Sequence, residues 1–86
     1  MIYPVVVDVT LREGIADPQG ATIERALPAL GFLGVSAVRA GKCFRFNIEA
    51  HDEASALATA SALAQRLLSN PVIEDAAVRS GAPPHP

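Results

Sequence analysis

The sequence predicts an α+β domain of order β-α-β-β-α-β: a four-stranded antiparallel sheet with both helices on one face, ferredoxin-like, and oligomerising. Three observations lead there. Two segments alternate apolar and polar residues with a period of two. Two others carry a helical period, and each starts behind an aspartate. The whole chain has only 86 residues, and a domain of that size buries only roughly 60% of the surface its unfolded chain exposes.

The first strand is marked by Val5, Val7, Val9 and Leu11 alternating with Val6, Asp8, Thr10 and Arg12. Pro4 has no N–H to donate, which places it at the beginning or the edge of that strand. Arg12-Glu13-Gly14 turns the chain, and Asp17-Pro18 starts a helix. The carboxylate accepts from the free amides of the first turn, and proline at the first helical position forfeits no bond. Ile23, Ala26, Leu27 and Leu30 form the expected apolar face. Pro28 predicts a kink or an early end, and Gly31 a stop.

Val35 to Ala40 reads as a second strand, Gly41-Lys42 as a hairpin turn, and Phe44, Phe46 and Ile48 as the apolar face of a third strand. Asp52 caps a second helix over Ala54 to Leu68, with Leu57, Ala60, Ala64, Leu67 and Leu68 on its inner side. Asn70-Pro71 ends it, and Val72 to Val78 makes the fourth strand. Residues 1–79 form one domain; residues 80–86, rich in proline, are expected to be a flexible tail.

Composition excludes several function classes. The formal net charge is −2 and no basic run occurs, which argues against a nucleic-acid partner. No apolar stretch is long enough to cross a bilayer. The lone Cys43 rules out an intrachain disulfide, and His51 and His85 have no metal-ligand spacing to it. A free thiol without an export signal points to the cytoplasm. With no disulfide or metal to stabilise so small a core, oligomerisation is the remaining source of stability.

The search for catalytic parts finds none. Cys43 beside Lys42 is read as a half-buried packing residue, and His51 as a loop residue. The acidic neighbours Glu74 and Asp75 point to opposite faces of a strand and cannot grip one substrate atom together. No phosphate-binding glycine loop is present. Phe44 and Phe46 are expected to face the helices rather than stack on RNA bases. No catalytic, cofactor or metal residue is therefore assigned.

Three segments together resemble the PurS family: Leu11-Arg12-Glu13-Gly14-Ile15-Ala16-Asp17-Pro18-Gln19-Gly20, Val38-Arg39-Ala40-Gly41-Lys42, and Leu67-Leu68-Ser69-Asn70-Pro71-Val72-Ile73-Glu74-Asp75. Their order and spacing extend the resemblance from about Val5 to Val78. It implies a non-catalytic small subunit of phosphoribosylformylglycinamidine synthase, an ATP- and glutamine-dependent ligase of purine biosynthesis. Such a subunit pairs with itself as dimer or tetramer and joins a glutaminase subunit to a large synthetase subunit, so that ammonia passes between them. ATP and magnesium then belong to the synthetase partner. The expected contact residues are Asp17, Pro18, Gln19, Gly20, Arg39, Gly41, Lys42, Asn70 and Pro71. Asp17 also has capping as a sufficient local role, whereas Arg39 and Lys42 have none visible in the sequence. The competing reading is an ACT-like regulatory module, which has the same element order and binds an amino acid near a glycine-containing first loop.

Overall fold

A computed structural model describes residues 1–81. Its sheet has three strands, not four, in the order β2-β1-β3 and antiparallel throughout. β1 spans Ile2–Leu11, α1 Pro18–Ala26, β2 Gly41–Glu49, α2 Glu53–Leu63 and β3 Glu74–Ser80. The strand expected over Val35–Ala40 does not form. These residues pair with no other strand, Gly34 and Ala37 take positive φ of 83° and 57°, and the chain enters the sheet only at Gly41. The two left-handed residues interrupt the extended run that a hairpin partner would need.

β1 is the central strand, and its register explains the core. Val5 lies opposite Phe46, Val7 opposite Phe44 and Val78, and Val9 opposite Ala76. All of these face α2 and the turn that continues it, where Ala60 and Ala64 are completely buried against them. Alanine at both positions allows the helix to approach the sheet closely. Phe44 and Phe46 thus face the helix, as their alternation with Arg45 and Asn47 indicated.

Pro4 sits in the central strand, at a point where this costs little. Its carbonyl accepts from the amide of Gly81 at 2.9 Å, just beyond the last residue of β3. The missing N–H therefore removes one bond from the end of the ladder rather than its middle. Gly81 is consequently tied to β1, and Ser80 closes β3; of the expected tail, residues 82–86 lie outside the described residues.

Both helix starts are capped as expected. Asp17 accepts from the Gly20 amide at 2.9 Å, and Asp52 from the Ser55 amide at 2.7 Å. Asp52 also lies 3.1 Å from the His51 ring, an exposed contact. α1 ends at Ala26, Pro28–Leu30 forms one 3-10 turn, and Gly31 closes it in the left-handed conformation at φ 91°. α2 passes into a π turn over Ala64–Leu68, where the Ser69 amide reaches back to the Ala64 carbonyl at 2.9 Å. The wider turn shifts the helix phase, so Leu68 stays against the core while Leu67 swings out to 73% exposure, contrary to its expected inward position.

The expectation of two helices on the sheet also fails. α2 packs on all three strands, whereas α1 makes its main contacts with the 3-10 turn that follows it. Gly20 is the only fully buried residue of α1, and Ile23 and Leu30 of the expected apolar face are open to solvent. α1 and residues 28–40 form an arm beside the sheet rather than a second layer upon it.

Candidate interface

The first and second resembling segments meet in space. Asp17 is the centre of the junction. Its side chain is only 7% exposed, and its two oxygens accept from the amides of Gly20 at 2.9 Å and Ala40 at 2.8 Å. The Gly20 bond, then the Ala40 bond, hold the Asp17 carboxyl below the usual carboxylate range; desolvation opposes them, and the Arg39 guanidinium 3.8 Å away helps. One carboxylate therefore caps α1 and also anchors the chain where it enters β2.

Two glycines permit this approach. A Cβ on Gly20 would stand 2.5 Å from the Val38 carbonyl oxygen, and one on Gly41 would stand 2.6 Å from the Val9 carbonyl oxygen. Both obstacles are backbone atoms. Arg39, for which the sequence suggested no local role, has one: its guanidinium donates to the carbonyls of Leu11 and Arg12 at 3.3 and 3.4 Å, covering the end of β1. Glu24 escaped the sequence reading. Its carboxylate accepts from the Val38 amide at 2.8 Å, a second tie between α1 and the arm. The signal was its spacing, because Asp17, Gly20 and Glu24 fall on one face of the helix.

Pro18, Gln19 and Lys42 are exposed around this junction. They border an open, mainly apolar cavity of about 230 Å³ between the α1 start, the β2 start and Glu74 of β3. Among the described residues the Lys42 ammonium forms no ion pair or hydrogen bond, so its charge is free. Asn70 and Pro71 lie apart from it in the turn before β3. There the Asn70 side chain accepts from the Val72 amide at 3.1 Å, its own amide donates to Glu74 at 2.7 Å, and Val72 projects into solvent.

The described residues contain no cluster of groups able to hold a metal ion. Cys43, expected to be half-buried, is exposed on the outer face of β2, opposite Asp8. His51 is exposed at a helix start, with Asp52 and Ser55 beside its ring. Neither is arranged as a nucleophile with its base.

Comparison with known proteins identifies the family. The family model described as PurS, phosphoribosylformylglycinamidine (FGAM) synthase, matches residues 4–81.

The chain belongs to the PurS family.

Among curated members, the PurS subunit of phosphoribosylformylglycinamidine synthase from Mycobacterium leprae is 49% identical over 70 residues, 81% of this chain and 85% of that protein. The one from Synechocystis is 43% identical over 67 residues, 78% of this chain and 67% of that protein. Among solved structures, the PurS subunit from Thermotoga maritima superposes with a TM-score of 0.87 at 34% identity, covering 93% of this chain and 92% of that one. A chain of the PurLQS structure from the same organism gives 0.86 at 34% identity, covering 93% and 98%. Membership of the PurS family decides between the two functional readings, against the ACT-like module.

Proposed function

We propose that this chain is the accessory PurS subunit of phosphoribosylformylglycinamidine synthase, which holds a glutaminase subunit and an ATP-dependent synthetase subunit together so that ammonia passes between them. The observation that carries this reading is the match to the PurS family model over residues 4–81. The role is geometric. Ammonia released at one centre must reach the second before it escapes or is protonated, and a rigid adaptor supplies the fixed separation. The chain acts in the cytoplasm, and the ATP and magnesium of the reaction are held by the synthetase.

The docking surface in this reading is the junction of Asp17, Pro18, Gln19 and Gly20 with Arg39, Gly41 and Lys42, with Asn70 and Pro71 as a second contact. Within it the exposed Lys42 and Gln19 meet the partner, while Asp17, Gly20, Arg39 and Gly41 shape the backbone that presents them. Reconstitution from three purified subunits tests the function. Glutamine-dependent formation of the amidine product is expected to require all three, and the chain alone is expected to be inactive. Full glutamine-dependent turnover by the glutaminase and synthetase without it overturns the proposal.

A further inference from the structure

The cavity at the junction of α1 and β2 lies on the inner face of the sheet, beyond the end of the helix layer. Residues directly opposite one another on neighbouring strands share a face. Val9 is opposite Lys42, and Leu11 is opposite Glu74, so all four belong to the face that carries the core. The buried cluster under α2 includes Val9 but stops short of Leu11, which is half-buried. A second helix laid on the sheet would cover this end. Here α1 stands aside, and Val9, Leu11 and Pro18 line an open, mainly apolar cavity of about 230 Å³. Its walls are tethered. Both Asp17 oxygens are taken by backbone amides, of Gly20 and Ala40, and β2 starts so close to β1 that a Cβ on Gly41 would stand 2.6 Å from the Val9 carbonyl oxygen. A preformed opening spares an occupant the cost of ordering it.

Size and charge define the occupant. Sites for drug-sized ligands and cofactors begin at about 300 Å³, so this cavity is matched to one large side chain. Three charged side chains border it: Asp17, Lys42 and Glu74. The Asp17 carboxylate is balanced by the Arg39 guanidinium 3.8 Å away. Glu74 commits a carboxylate oxygen to the Asn70 amide at 2.7 Å. Among the described residues the Lys42 ammonium has no ion partner, so the uncompensated charge at the mouth is positive. We infer that the cavity is the socket for a single large apolar side chain of one partner subunit, presented by a turn that also carries a carboxylate for Lys42. An apolar anchor in a preformed pocket, ringed by groups that exclude water, is the usual form of an interface hot spot. One socket takes one side chain, so each copy engages either the glutaminase or the synthetase through it. This rests on the proposed subunit role and deepens it, since it gives the chemistry of what docks.

Leu11→Trp fills the cavity from its floor. It is expected to weaken binding to one of the two purified subunits by on the order of tenfold or more, with self-association unchanged. Lys42→Glu is expected to weaken the same binding, and Lys42→Arg to retain it. Raising the salt concentration is expected to shrink the Lys42→Glu effect and to leave that of Leu11→Trp. A benzophenone attached to Gln19→Cys at the rim, in a chain carrying Cys43→Ser, identifies the occupant. In the reconstituted three-subunit complex it is expected to capture a peptide of that same subunit with a large apolar residue beside an Asp or Glu. Replacing that acid by lysine is expected to restore binding to Lys42→Glu. Should Leu11→Trp fail to fold, capture and charge rescue still decide. Capture of this chain itself, a captured peptide without the acidic and apolar pair, or failure of the charge rescue overturns the inference. Turnover that still requires the wild-type chain leaves the subunit role standing beside such a result, whereas full turnover without the chain overturns that role instead.

Discussion

Asp17 holds two chain segments with one carboxylate, and its protonation has a definable consequence. Its pKa is below the ordinary value of 3.8 because the folded state donates two amides to the ionised form. A carboxyl whose folded pKa is depressed stabilises the fold fully above its unfolded pKa and loses that contribution as pH falls through the folded one. The stability contributed by Asp17 is therefore intact at neutral pH and declines below about pH 4. Asp52, lowered by the Ser55 amide and then by the Ser55 hydroxyl, declines in the same window. Asp17→Ala is expected to lower the thermal midpoint at pH 7, to accelerate exchange at the Ala40 amide, and to flatten the acid limb of stability against pH. An unchanged limb in that variant would remove the carboxylate from the account. Gly41→Ala meets a harder obstacle, since its Cβ would stand 2.6 Å from a backbone oxygen of β1. Chemical denaturation is expected to show a loss of about 1–3 kcal/mol, the usual cost of forcing atoms into a packed site.

At the scale of elements, α2 and β1 make the core. Ala60→Leu places three extra carbons where α2 lies directly on Val5, Val7 and Val9, and is expected to cost about 1–3 kcal/mol in a denaturant titration. These elements were legible because their signals are local. Alternation fixes which face of β1 and β2 is apolar, and the aspartate caps fix where both helices begin. Leu67 was misplaced because a π turn changes the helical phase, and apolar spacing alone carries no mark of such a turn. The second strand was misread for a different reason. Val35–Ala40 has the composition of a strand, but pairing is a non-local property, and the chain's own β2 is the continuation of that segment rather than its neighbour. The apolar face of α1 was likewise identified, but it is not buried on the sheet, since Ile23 and Leu30 are exposed. The contacts that join Asp17–Gly20 to Arg39–Lys42 were not legible, and neither was the role of Glu24, since both depend on residues 28–40 folding back along α1.

The whole molecule is too extended for its length. Its radius of gyration is 16.2 Å and its principal extents are 51 × 37 × 14 Å, whereas a compact chain of this size has a radius of about 12 Å. A sheet with one helical layer and an arm beside it leaves Ile23, Leu30, Phe32, Leu33 and Val35 open to water. Such a shape gains little from its own core and much from apolar area buried on association. Mass action then links stability to concentration, because a partner that binds only the folded state raises the midpoint as its concentration rises. The thermal midpoint of the isolated chain is expected to climb steadily from sub-micromolar to hundred-micromolar protein. Lys42→Glu is a contrasting probe, since its free side-chain charge borders the cavity of the proposed docking surface and makes no ion pair among the described residues. It is expected to keep the concentration dependence of the wild type while weakening co-elution with the glutaminase and synthetase. If Lys42→Glu instead abolished self-association and left the three-subunit complex intact, Lys42 would belong to the contact between copies rather than to the surface that meets the other subunits.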